Sequence, residues 1–64
     1  MCKTNLEMMN LQEDESVFAF YGRAFKLLED NGFDEYRKRL GKEVLHAGSR
    51  KASIAMIGHY IKLK

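Results

Sequence analysis

The absence of proline is the feature that most constrains this chain, because it leaves glycine as the one strong breaker of regular structure. Leu, Met, Lys, Glu, Arg and Ala are abundant, and all of them favour helix. No stretch keeps the two-residue alternation of a strand over more than a few positions. Breaks at Asn31-Gly32 and at Gly48 divide the helical pattern into segments. The sequence therefore predicts an all-α fold.

The length of 64 residues allows one small domain and leaves no room for a Rossmann unit or a barrel. Such domains keep only a few kcal/mol of net stability, roughly 3–5, unless a disulfide, a metal or oligomerisation adds to it. A single cysteine, Cys2, cannot form an internal disulfide. We therefore expect a reducing, cytoplasmic setting and a homodimer.

Residues 15–30 form the clearest predicted helix, because their apolar side chains occupy one half of a helical wheel. Asp14, Glu15 and Ser16 supply N-cap chemistry, and Asn31-Gly32 provides a stop. The apolar half contains Val17, Phe18, Phe20, Tyr21, Ala24, Phe25, Leu27 and Leu28.

Two further helices are predicted over residues 34–47 and 50–63, with Ser49 as the N-cap of the second. Gly41 lies inside the first of these and is either tolerated there, a point of close packing, or the end of a shorter helix. The last segment has a wide apolar face, which indicates a central helix or a dimer interface. The candidate apolar interface is formed by Met56, Tyr60 and Leu63.

Residues 1–12 are expected to be a loosely attached, short helical segment that either docks on the rest of the chain or is mobile, with Thr4 and Glu7 at capping-box spacing. Residues 13–64 are expected to be the core of a small three-helix bundle, so that 1–64 form a single domain. The expected core residues are Phe18, Phe20, Phe25, Leu28, Tyr36, Leu40, Val44, Ile54, Ile57 and Ile61.

Charge is distributed unevenly along the chain although its formal net value is only +2. Residues 1–35 contain three basic and eight acidic residues, a net charge of −5. Residues 36–64 contain eight basic residues and one acidic residue, Glu43, a net charge of +7. This polarity favours an oriented binding surface over a uniformly solvated one.

The basic half predicts an outward-facing cationic surface, since its charges lie away from the apolar stripe of residues 34–47. The last two predicted helices and the Ala47-Gly48-Ser49 turn between them also have the spacing of a helix-turn-helix. However, the last segment offers only a thin polar strip for reading bases, and polar Ser49 follows the turn glycine. The candidate basic binding face consists of Lys38, Arg39, Lys42, His46, Arg50 and Lys51.

A non-catalytic binding protein that regulates or inhibits a larger protein partner is the function these patterns favour. The alternative is a nucleic-acid-binding regulator that uses the basic face. No enzyme is expected, because Glu43, His46, Ser49 and Ser53 lack the elbow or phosphate loop of known catalytic motifs. We expect no metal, no cofactor and no membrane span, since ligand spacings and apolar runs of ~20 residues are both missing.

Overall fold

The computed structural model describes residues 2–64, in which three helices and two very short strands form one unit. The predicted all-α three-helix bundle is confirmed. In chain order the elements are β1 (Glu7–Met8), α1 (Val17–Asp30), α2 (Asp34–Leu45), α3 (Arg50–Gly58) and β2 (Lys62–Leu63).

The helix boundaries follow from local capping chemistry. Ser16 Oγ accepts a hydrogen bond from the Ala19 N–H at the start of α1, with a donor–acceptor distance of 3.1 Å. Ser49 caps α3 in the same way, through the N–H of Ala52 at 3.1 Å. Gly32 and Gly48 adopt φ values of +80° and +82°, the left-handed region that glycine enters without strain.

The core lies where the three helices meet the segment around β2. Of the expected core residues, five are fully buried, and Phe25, Tyr36, Val44 and Ile54 pack half-buried against them. The prediction that Phe18 belongs to the core is wrong, since 78 % of its surface is exposed. The apolar half of the α1 wheel is wider than the strip that two neighbouring helices cover. The buried apolar residues are Phe20, Ala24, Leu28, Leu40, Ile57, Tyr60 and Ile61.

The predicted N-terminal helix is also wrong, because this part of the chain is extended. β1 pairs with β2 in parallel, with Glu7 opposite Lys62. The Lys62 N–H donates to the Leu6 carbonyl at 2.9 Å. Parallel strands need a long crossover connection, and here the three helices provide it.

The last predicted helix is shorter than expected, because α3 stops at Gly58 instead of continuing to Leu63. The chain turns at His59 and Tyr60 and then becomes β2. An extended backbone leaves donors and acceptors free for a neighbouring strand, and the N-terminal segment satisfies them.

Hydrogen bonds hold the N-terminal segment to the rest of the chain, which contradicts a loose attachment. The Lys3 N–H donates to the His59 carbonyl at 2.8 Å, and the Thr4 hydroxyl donates to the Tyr60 carbonyl at 2.6 Å. The apolar side chains of Leu6, Met8 and Leu11 pack against the core.

Arg23 on α1 fixes the connection that follows β1. Its guanidinium donates to both carboxylate oxygens of Glu15, at 2.7 and 2.8 Å, and to the Met9 carbonyl at 3.1 Å. The hydrogen bond from Arg23 holds the pKa of Glu15 below its ordinary value.

Tyr60 connects the N-terminal segment to α2. Only 1 % of its surface is exposed, and its hydroxyl donates to the Glu43 carboxylate, whose oxygens lie at 2.8 and 2.9 Å. Its ring meets that of Tyr36 edge to face, with centroids 5.7 Å apart, and Lys3 Nζ lies 5.5 Å from its centroid. Burial, followed by the hydrogen bond to Glu43, raises the pKa of Tyr60 to about 12.

The matched substitutions Phe20→Ala and Phe18→Ala should separate a core aromatic residue from a surface one. We expect Phe20→Ala to lower the free energy of unfolding by ~3–5 kcal/mol, enough to unfold much of the protein. Phe18→Ala should change it by less than ~0.5 kcal/mol, because Phe18 is largely in water already. Urea denaturation followed by circular dichroism measures both. Equal effects would contradict the described core.

Replacing Tyr60 by Phe should cost ~1–2 kcal/mol at neutral pH, because the Glu43 carboxylate loses its donor. Folding favours the neutral phenol, so this contribution is complete below the ordinary tyrosine pKa of 10 and declines as pH rises from 10 to about 12. Denaturation between neutral and alkaline pH should show that loss in the native protein and much less of it in Tyr60→Phe. A loss of the same size in Tyr60→Phe would contradict the assignment of this pH dependence to Tyr60.

Candidate functional site

An open apolar groove of about 360 Å³ runs between α1 and α2 on the surface of the bundle. The α1 side contributes three aromatic residues spaced i, i+3 and i+7, and the α2 side contributes residues spaced i, i+3 and i+4. These spacings place each set on a single helix face. The lining residues are Phe18, Tyr21, Phe25, Gly41, Val44 and Leu45.

Two large apolar side chains in this groove are mostly in water. Phe18 is 78 % exposed and Leu45 is 79 % exposed. The Phe18 ring meets the Tyr21 ring edge to face, with centroids 6.0 Å apart. Exposed apolar side chains that share one concave surface indicate an interaction site more than single scattered ones do.

Tyr21 ties the groove to α3. Its hydroxyl donates to Ser53 Oγ at 2.5 Å, and Ser53 Oγ in turn donates to the Arg50 carbonyl at 2.7 Å. Ser53 is buried, so this chain of hydrogen bonds satisfies its only side-chain polar atom. The ring of Tyr21 is therefore held in a fixed position by its hydroxyl.

An ion pair fixes the opposite end of the helix pair. Arg37 at the beginning of α2 donates from Nε to Glu29 near the end of α1 at 2.9 Å, and its guanidinium lies 5.2 Å from the Phe25 ring centroid. The two helices thus run antiparallel, since the groove joins the start of α1 to the end of α2. This ion pair joins α1 to α2 at that end, whereas the Tyr21–Ser53 hydrogen bond joins α1 to α3.

Half of the predicted basic face borders this groove. Lys38, Arg39 and Lys42 line a shallow depression of about 410 Å³ on α2, together with Glu35 and Arg37. Gly41 and Leu45 line both the depression and the groove, so the cationic and apolar surfaces are continuous.

The other three predicted basic residues lie elsewhere. His46 follows the end of α2, and Arg50 and Lys51 form the first turn of α3. All three are exposed, as predicted, but they do not line the depression on α2. The structure thus brings together one half of the basic face and not the whole of it.

The lysines next to the groove are free of intramolecular ion pairs within residues 2–64. Neither Lys38 nor Lys42 has a carboxylate oxygen within 4.0 Å, and the Arg39 guanidinium lies 6.0 Å from the Tyr36 ring centroid. The ion pairs in that part of the chain are Arg23–Glu15, Lys26–Asp30, Arg37–Glu29 and Lys64–Glu7. The cations beside the groove are therefore available to a ligand.

The apolar interface predicted on the last segment does not form an open surface. Tyr60 belongs to the core, and that prediction is wrong. Met56 and Leu63 are half-buried and pack against the core. The N-terminal segment contacts part of this surface, since Thr4 bonds to the Tyr60 carbonyl and β1 pairs with Lys62 and Leu63.

The residues with catalytic potential have separate structural roles. Glu43 accepts from Tyr60, Ser49 caps α3, and Ser53 bonds to Tyr21. His46 is exposed after α2. Within residues 2–64 no group of three or more His, Cys, Asp and Glu side chains is placed to hold a metal ion.

Sequence reasoning missed Leu45 and misplaced Phe18. The apolar stripe that predicts the buried side of α2 consists of Phe33, Tyr36, Leu40, Val44 and Ala47, and Leu45 falls outside it. A leucine on the polar side of an amphipathic helix was thus the available signal. For Phe18 the signal was weaker, because its wheel position lies within the apolar half of α1.

Comparison of the chain with models of protein families, with curated proteins and with solved structures gave no match. None of the helices in residues 2–64 is both long enough and apolar enough to cross a lipid bilayer.

No contact within the described structure requires a glycine at position 41. α2 continues through it to Leu45, which answers whether it breaks the helix, and a Cβ at this position would meet no atom within 4 Å. We expect Gly41→Ala to raise the free energy of unfolding by ~1 kcal/mol, the difference in helix propensity. Gly22→Ala on α1 is the matched control, since a Cβ there also meets nothing, and it should stabilise by a similar amount. Urea denaturation measures both, and destabilisation by Gly41→Ala would contradict the described α2.

Proposed function

We propose that this chain is a small, non-catalytic intracellular binding protein that regulates or inhibits a larger protein partner through the α1–α2 groove. One observation carries the proposal: Phe18 and Leu45, nearly four-fifths exposed, line a groove that continues into the free cations Lys38 and Lys42. The free energy of the complex falls when a partner removes exposed aromatic and aliphatic side chains from water.

The two parts of the surface supply different properties of binding. The apolar groove would provide most of the affinity, as the centres of protein interfaces do. Lys38 and Lys42 at its edge would select the orientation of the partner and speed its association, with a dependence on salt. Glu29–Arg37 and Tyr21–Ser53 preorganise the groove, which lowers the ordering cost of association.

The proposed location inside the cell rests on Cys2, which lacks a disulfide partner in this sequence. The homodimer expected from the sequence stays a prediction, but its candidate interface on the last segment is not an open surface, since Tyr60 is buried and Met56 and Leu63 are half-buried. Any self-association would have to use another surface.

Affinity capture with groove variants tests the proposal. The tagged full chain should retain a protein partner from extracts of its native cell, and the double variant Phe18→Ser/Leu45→Ser should reduce that protein's recovery at least about tenfold. Met9→Ser is the matched control, because Met9 is 55 % exposed but does not line the groove. Circular dichroism should show that all three proteins are folded.

Equal recovery of the same proteins by the wild type and the groove variant would contradict the proposal. Loss of recovery with Met9→Ser as well as with the groove variant would also contradict it, since adhesion would then depend on general surface hydrophobicity.

A second candidate function is nucleic-acid binding, and the exposure of all six predicted basic residues favours it. The limited polar surface of α3 is less favourable, since its exposed residues are Arg50, Lys51 and Ala55. Binding of duplex DNA measured against salt concentration tests this function. A steep log–log slope that Arg50→Glu/Lys51→Glu reduces would support it, and no binding at ~50 mM salt would reject it.

A further inference from the structure

We infer that the α1–α2 groove binds an acidic amphipathic helix of the partner, because its helical apolar walls continue at Gly41 into the cationic edge formed by Lys38 and Lys42. This inference rests on the proposed function and specifies the chemistry of the partner. The groove walls determine the shape of the ligand, and the lysines determine its charge.

The shape of the groove favours a helix as its occupant. Phe18 and Phe25 lie seven residues apart on α1, which corresponds to roughly 10 Å along the helix axis. A helix laid along two antiparallel helices places side chains at i, i+3 or i+4, and i+7 into such a surface. Two or three apolar anchors of the ligand therefore match the length of the groove.

The charge at the edge favours acidic side chains on that helix. Lys38 and Lys42 are one helical turn apart on α2, roughly 6 Å along its axis, and neither is paired within residues 2–64. Glutamates at i and i+4 on the ligand would face them with the same repeat. Their contribution should fall with salt, as expected for pairs at the rim of an interface.

A second copy of this chain fits the surface less well. A two-fold contact through the groove would bring the same surface from both copies together, and with it Lys38 and Lys42 of each. Like charges at that contact would oppose association. A nucleic acid would pair with the lysines but would not cover the apolar side chain of Leu45.

Gly41 supports close approach of the ligand. It lies where groove and cationic edge meet, and it costs α2 ~1 kcal/mol of helix propensity with no packing benefit inside the chain. Gly22 on α1 has the same cost and the same lack of packing benefit, so what points to a role in binding for Gly41 is its position between the groove and the cationic edge. Without a Cβ, the backbone of α2 lets a ligand helix approach more closely at this position.

Two synthetic helical peptides of about 18 residues, roughly five turns, test the inference with the full chain. They share one leucine face at i, i+3, i+4 and i+7 spacing, and their polar positions are glutamate in one peptide and lysine in the other. We expect the glutamate peptide alone to bind, measured by fluorescence anisotropy, and to shift the backbone amide NMR signals of Phe18, Tyr21 and Leu45.

Substitutions should separate the groove from the rest of the basic surface. Lys38→Glu/Lys42→Glu should lower the affinity for the glutamate peptide at least about tenfold. Arg50→Glu/Lys51→Glu, which reverses two charges outside the depression, should leave that affinity unchanged. Gly41→Ala should weaken binding although it stabilises the fold. Gly22→Ala should stabilise the fold and leave binding unchanged.

Several results would overturn the inference and leave the proposed function standing. The inference fails and the proposed function stands if neither peptide binds, or if both bind with equal affinity, while Phe18→Ser/Leu45→Ser still abolishes partner capture. Equal loss from the two charge reversals would indicate a general polyanion surface. Equal binding of the glutamate peptide by Gly41→Ala and Gly22→Ala would contradict the close approach of a ligand helix at Gly41.

Other results would overturn the inference and the proposed function together. Binding of the glutamate peptide that is unaffected by Phe18→Ser/Leu45→Ser would place it outside the groove. With partner capture also unaffected by that double variant, neither proposal would stand. Self-association in sedimentation that Phe18→Ser/Leu45→Ser abolishes would overturn the proposed function as well, because the groove would then bind a second copy of the chain.

Discussion

The burial of Tyr60 is the interaction on which the arrangement of the whole chain depends. Its ring lies between Tyr36 of α2 and Lys3 of the N-terminal segment, its hydroxyl binds Glu43, and its carbonyl accepts from Thr4. A phenol in this position must have a partner, because an unsatisfied buried hydroxyl costs ~1–3 kcal/mol. Three separate parts of the sequence therefore come together around one side chain.

The N-terminal segment determines which apolar surface remains open. It pairs with β2 and packs Leu6, Met8 and Leu11 against the core, and so adds apolar burial to a small domain without a second copy. The open apolar area is left between α1 and α2. Phe18 and Leu45 add little to the stability of the isolated chain while exposed, which is why they indicate binding.

Folding also changes the meaning of the charge polarity. Glu7, Glu15 and Glu29 from the acidic half each pair with a basic residue, so much of that half stabilises the fold. Lys38 and Lys42 keep no such partner within residues 2–64. What faces outward beside the groove is therefore cationic, although the net charge of the whole chain is only +2.

Three helices and their capping residues could be predicted from the sequence, because Ser16, Ser49, Gly32 and Gly48 act on their immediate neighbours. Exposure of the basic face was predictable for a related reason, since charged side chains remain in water unless paired. The extended N-terminal segment left a fainter signal: Cys2, Thr4, Leu6 and Met8 alternate with polar residues, and that alternation matches its burial. This alternation spans only a few residues, and the helix propensity of the same segment favours a helix.

By itself the sequence determined the all-α class, the starts of α1 and α3, and the outward lysines of α2, because each depends on contacts within a few residues. The tertiary structure alone decided that Tyr60 is core, that Phe18 is surface, and that the apolar groove continues at Leu45 into the depression that Lys42 lines. Those outcomes depend on which face covers which, and parallel pairing of β1 with β2 across more than fifty residues sets that. Local periodicity carries no information about a partner so distant in sequence.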